Sequence, residues 1–154
     1  MDQPKIYIGD QVGKMIVDKA EGWYMSAEKY VRASVKNVQQ NLAKSNQRLP
    51  TRCKTPIMSG YRPETYTLPD LKAEGVTQYQ EMVGVLRWEV DLGRVDILLE
   101  TAFMSTYLYL PHRGHLEQIF HVFGYFKANP NRNIFFDPQH PKMNEHLFPA
   151  HNWW

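Results

Sequence analysis

The chain has 154 residues, of which 43% are apolar and 13% aromatic, and this composition excludes a disordered polypeptide. The formal net charge is only +2, so the total charge does not favour any class of binding partner. The single cysteine, Cys53, excludes an internal disulfide. The sequence has no signal peptide and no run of about 20 apolar residues, so we expect an intracellular, soluble protein without a membrane segment, in the cytoplasm or the nucleus.

Three short β-rich runs open the chain and predict a small antiparallel hairpin with a further strand before it. They occupy residues 5–8, 14–17 and 23–25, and residues 19–22 have the composition of a turn. So small a hairpin is not stable by itself, because it needs helices or further strands to cover it. We therefore expect the rest of this sheet to lie upstream of Met1.

An amphipathic helix of about 18 residues is predicted next. Ser26 is a favourable N-cap, and Val31, Val35, Val38 and Leu42 recur at helical spacing. The Leu49-Pro50 step prevents the helix from continuing.

Basic side chains dominate the polar face of this helix and the residues that follow it. The segment from Lys29 to Pro63 has eight basic residues and no acidic one, whereas the rest of the chain carries a net charge of −6. An ordinary solvated helix face, which is the alternative interpretation, usually carries both signs. The bias predicts contacts with nucleic-acid phosphates. The candidate residues are Lys29, Arg32, Lys36, Lys44, Arg48, Arg52 and Lys54.

Residues 51–78 are rich in Pro, Thr, Gly and Ser and predict an irregular connector. Three helices are expected after it, at 78–92, 96–108 and 112–127, and short connections favour an antiparallel three-helix bundle. Leu86, Phe120 and Phe123 are expected in one core. A short strand at 134–136 follows. The fold class predicted from these elements is α+β and mostly helical.

Particular residues are expected to shape the helices of this bundle. Gly84 inside the first helix suggests that another backbone passes close by, and Gly93 is a suitable C-terminal stop. Asp96 is expected to cap the second helix. Pro111 is suited to the first turn of the third.

The sequence offers candidate residues for two kinds of chemical site, a metal site and a catalytic carboxylate pair. His112, His115, His121 and Cys53 could be metal ligands, but they offer one pair at tight spacing and no matching second pair. Asp96 and Glu100 share a helix face, although Asp96 is better explained as a cap. We therefore predict neither a metal site nor a catalytic site.

A series of motifs runs along the chain: "YIGDQVG" and "WYMSAEKYV" come first, then "YQEMVGVLRW" and "LGRVDI", and then Pro111 and "GHLEQIFHVFGYFKAN". These motifs and their order resemble the reverse transcriptase region of copia-type LTR retroelement polyproteins. The resemblance covers nearly the whole chain. One departure is Glu89, since the family usually has an apolar or small residue near that point.

The resemblance implies a fragment between the palm and ribonuclease H of such a polyprotein. It implies terminal palm-like strands at 1–25, a basic thumb-like helix at 26–50, a connector at 51–78, a helical connection domain at 79–137 and a truncated linker toward ribonuclease H at 138–154. The partner it implies is an RNA–DNA or DNA duplex, bound weakly and without sequence preference. The family carries its catalytic Asp-Asp turn upstream, and this chain has no Asp-Asp dipeptide. We therefore expect no polymerase activity from the chain alone, and Mg²⁺ only in the missing palm.

Overall fold

The computed structural model describes residues 6–7, 9–62 and 69–137. It confirms an α+β fold that is mostly helical. The predicted linker at 138–154 and part of the predicted connector, residues 63–68, lie outside the described residues. The elements in chain order are β1 (Ile6–Tyr7), β2 (Asp10–Val17), β3 (Ala20–Ser26), α1 (Glu28–Lys44), α2 (Ala73–Asp91), a 3-10 turn (Val95–Ile97), α3 (Leu98–Ser105), α4 (Arg113–Ala128) and β4 (Ile134–Phe136).

The four described strands form one antiparallel sheet in the order β1-β2-β3-β4. The hairpin was predicted correctly, but its turn was predicted too late. Asp18 and Lys19 make the turn, and both have positive φ. A two-residue turn with left-handed backbone conformation matches the twist of the two strands that it joins. Gly22 instead lies inside β3, where a Cβ would come within 2.5 Å of the Phe135 ring of β4. The glycine therefore marks a close strand contact, not a turn.

The helices bury one hydrophobic core. Val31, Val35, Val38 and Leu42 of α1 are all buried, as predicted from their spacing. Leu86 of α2 and Phe123 of α4 are fully buried in the same core, whereas Phe120 is half-buried at its edge. Because α4 packs against both α1 and α2, the basic helix shares its core with the helices of the predicted bundle.

The helix α2 begins earlier than the sequence predicted. It opens at Ala73 after an extended Lys72, and the Lys72 carbonyl accepts the first helical bond from Val76 N–H at 3.0 Å. The connector therefore ends at residue 72. Gly75, which falls within the predicted connector, lies inside the first turn of α2, where a Cβ would approach Leu71 Cβ to 3.2 Å.

Three expectations about the helical segment are wrong in detail. Apart from the helix's own backbone, no atom of the described residues lies within 4 Å of a Cβ built on Gly84, so no other described backbone passes close to it. Asp96 caps no helix, because it lies inside the 3-10 turn and accepts hydrogen bonds from Arg94, two residues earlier, and from Tyr125 of α4. Pro111 precedes His112, which is the N-cap of α4, and the Pro111 carbonyl accepts a bond from Leu71 N–H. The second helix of the predicted bundle, α3, spans Leu98–Ser105 and is shorter than the predicted range 96–108. The prediction for Gly93 is confirmed, because it follows the end of α2 with φ of 97°.

Candidate nucleic-acid interface

The basic face of α1 is the consequence of its buried stripe. Once Val31, Val35, Val38 and Leu42 face the core, helical geometry directs residues 29, 36, 40 and 44 toward solvent. The four basic side chains of α1 are exposed: Lys29, Arg32, Lys36 and Lys44. At 1.5 Å per residue they extend over about 22 Å of helix. We name these four residues the basic face.

One acidic residue moderates the charge of this face. Glu28, in the first turn of α1, forms an exposed ion pair with Arg32 one turn later, and its Oε1 lies 2.6 Å from Arg32 Nη2. Such a pair contributes at most about 0.5 kcal/mol and is screened by salt, so it leaves Arg32 available to a phosphate. The Lys44 ammonium group donates to Asn41 at 3.2 Å, which is an uncharged partner.

The other three candidate residues lie on residues 45–62, which we name the strap. Arg48, Arg52 and Lys54 are exposed, while Leu49 and Cys53 between them are buried. Arg52 has φ of 62°, in the left-handed region that costs a non-glycine residue about 1–2 kcal/mol. The contacts of the strap must therefore hold the Arg52 backbone in this unfavourable conformation.

Those contacts come from α4. The Gln118 amide group donates to the Pro56 carbonyl at 2.9 Å and its oxygen accepts from Met58 N–H at 3.1 Å. Gly124 lies directly under the strap, where a Cβ would be 2.7 Å from the Pro50 carbonyl oxygen and 2.8 Å from Cys53 Sγ. Gln118 is 60 and 62 residues away in sequence from its two partners in the strap. No local pattern in the sequence marks either Gln118 or Gly124 as a support for the strap.

His121 and Cys53 form a further contact between α4 and the strap. His121 Nε2 lies 2.9 Å from the Thr55 carbonyl oxygen, which can only accept, so Nε2 carries the proton. Nδ1 is then an acceptor for the Cys53 thiol, whose sulfur is 3.6 Å away. Burial raises the pKa of Cys53, and a buried neutral thiol is a poor nucleophile. This pair therefore fixes the strap and is not arranged for covalent catalysis.

The remaining histidines that were considered as metal ligands have other partners. His112 Nδ1 lies 2.8 Å from Asp70 Oδ1, and His115 Nδ1 accepts the His112 N–H at 2.9 Å. The His115 ring also stacks on Tyr107 with centroids 4.1 Å apart. Within residues 6–7, 9–62 and 69–137 no group of three His, Cys, Asp or Glu side chains is arranged to hold a metal ion.

A buried polar cluster anchors α1 from its other side. Ser34 donates its hydroxyl hydrogen bond to Glu89 Oε1 of α2 at 3.0 Å, and Glu89 is fully buried. Asp10 at the start of β2 is also fully buried, and neither of its carboxylate oxygens has a hydrogen-bond partner among the described residues. Burial raises the pKa of Asp10 to about 6 and that of Glu89 to about 7, the latter opposed by Ser34 and Arg94. The sequence showed Glu89 only as a departure from the family pattern.

Arg94, Asp96 and Tyr125 form the second part of the same cluster. The buried Arg94 guanidinium donates two bonds of 2.9 Å to the Asp96 carboxylate, and its Cζ lies 4.4 Å from the Phe126 ring centroid. Tyr125 donates to the same carboxylate at 2.8 Å. Burial opposes ionisation of Asp96, but Arg94 and Tyr125 outweigh it and lower the pKa of that carboxyl. Asp96 is thus a structural ion-pair partner, and it shares no catalytic arrangement with Glu100, whose pKa burial raises.

Gly124→Ala is expected to lower the free energy of unfolding by about 1–3 kcal/mol, the usual cost of overpacking. The added methyl group would overlap the Pro50 carbonyl oxygen and the Cys53 sulfur. Gly84→Ala is the matched control, because its Cβ meets open space and a helical alanine is favoured by up to about 1 kcal/mol. Urea unfolding of both variants measures the difference. A Gly124→Ala protein at least as stable as the wild type would show that the strap does not pack there.

Glu89→Gln is expected to remove much of the pH dependence of stability between pH 5 and pH 8. A carboxyl whose pKa is raised on folding stabilises the protein at low pH, and this contribution is lost as the pH rises through the folded-state pKa. The pKa of Glu89 rises from 4.5 to about 7. The wild type should therefore lose about 2 kcal/mol more over this window than the variant. Urea unfolding at pH 5 and pH 8 tests this, and equal losses would contradict it.

Comparisons with protein-family models, with curated proteins and with solved structures found no match to this chain. In the part of the chain that the structure describes, every helix is too short or too polar to span a bilayer.

Proposed function

We propose that this chain is the thumb and connection region of a copia-type retroelement reverse transcriptase and that it holds primer–template duplex by its phosphate backbone. The observation that supports the binding role is the basic face, four exposed cations on one rigid helix with a single acid, Glu28, beside them. The family name is supported by the sequence resemblance alone. On the same basis the proposed partners within the polyprotein are the palm and ribonuclease H, with Mg²⁺ bound in the palm.

The spacing of the cations suits a backbone that is contacted at intervals. Lys29 and Lys36 are separated by about 10 Å along the helix axis, and Lys36 and Lys44 by about 12 Å. Side chains of this kind neutralise phosphates without reading base edges, so binding should be weak and independent of sequence. The anchoring of α1 through its core stripe and through Ser34 keeps these cations on one rigid surface.

A second candidate function is a stand-alone helical module for protein contacts, with no role in nucleic-acid binding. It is favoured by the apolar side chains exposed on the 3-10 turn and α3, where Val95, Leu98, Leu99 and Phe103 are between 44% and 59% exposed. An exposed apolar patch is typical of interaction surfaces. The two functions differ in their response to salt, because apolar contacts do not release counterions.

We propose an intracellular location, because one unpaired cysteine is typical of a reducing compartment.

The purified chain is expected to show no polymerase activity. Two-metal nucleotidyl transfer needs carboxylates that hold two ions about 4 Å apart, and the chain has no Asp-Asp dipeptide to supply them as the family does. Primer extension with Mg²⁺ or Mn²⁺ measures this. Extension above background that follows the protein through purification would overturn the proposal that the chain is a fragment without its own catalytic residues.

The binding role is tested by fluorescence anisotropy with a labelled RNA–DNA hybrid at several salt concentrations. Dissociation constants of about 10⁻⁴ to 10⁻⁶ M are the expected scale near physiological salt. Affinity should be equal for hybrids of unrelated sequence and should fall steeply with salt. Absence of binding even at low salt would overturn the proposal.

A further inference from the structure

A cleft of about 480 Å³ opens where the end of α1, the strap and the end of α4 meet. Its polar and charged lining residues are Gln39, Asn46, Gln47, Arg48, Thr51 and Lys127. Arg48 was a candidate residue from the sequence, whereas Lys127 was not, because it lies at the far end of α4. None of the described residues that line this cleft is acidic.

The chemistry of this lining suits a phosphate group. A guanidinium group binds phosphate oxygens through a planar fork, and a lysine ammonium group adds a point charge. The amides of Asn46 and Gln47 and the hydroxyl of Thr51 can donate further hydrogen bonds. The volume lies within the usual range of about 300–1,000 Å³ for small-molecule sites. Ala43 and Leu49 supply an apolar wall that a nucleoside can contact.

Charge and shape distinguish this cleft from the basic face. Two cations match a phosphate monoester, which carries about −1.5 to −2 at pH 7, better than a phosphodiester with its single charge. The basic face is a helix surface against which a duplex can lie, whereas a cleft admits one nucleotide. A neighbouring groove shares Gln47 and Arg48 with the cleft and is also lined by Arg113 and Glu117, which form an ion pair with each other at 3.0 Å.

We propose that this cleft binds the phosphate monoester of a nucleotide through Arg48 and Lys127. The carrier of that phosphate is a free nucleotide or the 5′ end of a nucleic-acid strand. The proposal that the phosphate belongs to a strand end rests on the proposed nucleic-acid role. The proposal that the cleft binds a phosphate monoester does not.

The first experiment titrates the isotope-labelled chain with adenosine 5′-monophosphate and with adenosine, followed by amide chemical shifts. Saturable shifts at residues 46–51 and around residue 127 with the monophosphate, but not with the nucleoside, would support the proposal. Lys127→Gln should weaken this binding about 5-fold, the upper range for one exposed charge pair. Lys72→Gln is the matched control, because it removes the same charge from an exposed position before α2 and should leave binding unchanged. Equal shifts with adenosine, or unaltered affinity of Lys127→Gln, would overturn the proposal.

The second experiment identifies the source of the phosphate. If a strand end occupies the cleft, the wild type should bind a 5′-phosphorylated hybrid about 5-fold more tightly than the 5′-hydroxyl hybrid, and Lys127→Gln should lose this preference. Replacement of Lys29, Arg32 and Lys36 by Gln should weaken both hybrids alike and keep their ratio. Monophosphate binding without a hybrid preference would support the cleft and assign it to a free nucleotide. If the wild type does not bind either hybrid, the proposed function is wrong. The monophosphate titration would still show whether the cleft binds a phosphate monoester.

Discussion

Arg94→Ala should lower the free energy of unfolding by about 3–5 kcal/mol, the range for removing one partner of a buried ion pair. Arg94 is 1% exposed, and its guanidinium group makes both its charge-assisted bonds to Asp96 and its contact with the Phe126 ring. The truncation would leave the Asp96 carboxylate with Tyr125 as its remaining side-chain partner and would remove the positive charge that favours ionised Glu89. Urea unfolding at constant pH measures the loss.

Three comparisons make this prediction specific. Arg94→Lys should recover little stability, because an ammonium group cannot make the two parallel bonds. Arg48→Ala removes an exposed arginine outside this cluster and should change stability by no more than about 0.5 kcal/mol. Asp96→Asn should cost less in the Arg94→Ala protein than in the wild type, because the stranded charge is then removed. A loss below about 1 kcal/mol in Arg94→Ala would contradict a central role for this pair.

The sequence predicted what depends on residues near one another in the chain. The spacing of Val31, Val35, Val38 and Leu42 identified both the helix and the face it buries. The same four residues therefore also predicted the exposed basic face. Gly93 was recognised as a helix stop because left-handed backbone favours glycine locally.

What the sequence did not predict depends on distant parts of the chain. Gly84 and Gly124 are both helical glycines, yet only Gly124 has a chain segment packed against it. Asp96 resembled a cap from its neighbours, but Tyr125 on α4 and the buried Arg94 determine its role. Lys127 reaches the same cleft as Arg48 only because α4 supports the strap. Tertiary packing decides such cases, and a local pattern does not contain it.

The triple replacement of Lys29, Arg32 and Lys36 by Gln should flatten the salt dependence of hybrid binding. Each phosphate that a protein neutralises contributes about −0.9 to the slope of log K against log salt for duplex DNA. Lys29 and Lys36 should contribute fully, and Arg32 somewhat less, because it is shared with Glu28. We therefore expect the slope to change by about 2 to 3 units. The three side chains are exposed, so stability should change by no more than about 0.5 kcal/mol per residue.

The matched control replaces Lys19, Lys72 and Arg132 by Gln. These side chains are also exposed, and their replacement removes the same total charge. They lie outside the basic face, at the β2–β3 turn, before α2 and after α4. The control should keep the slope of the wild type. This comparison separates a local contact with phosphate from a general effect of net charge.

Fluorescence anisotropy of the wild type and these two triple variants, at several salt concentrations, measures how hybrid affinity depends on salt. If α1 holds the duplex, the slope should be steep for the wild type and the control, and flatter by about 2 to 3 units for the basic-face variant. An unchanged slope in the basic-face variant, or the same flattening in both variants, would contradict a duplex-holding role for α1 and would leave the protein-interaction module as the remaining candidate function.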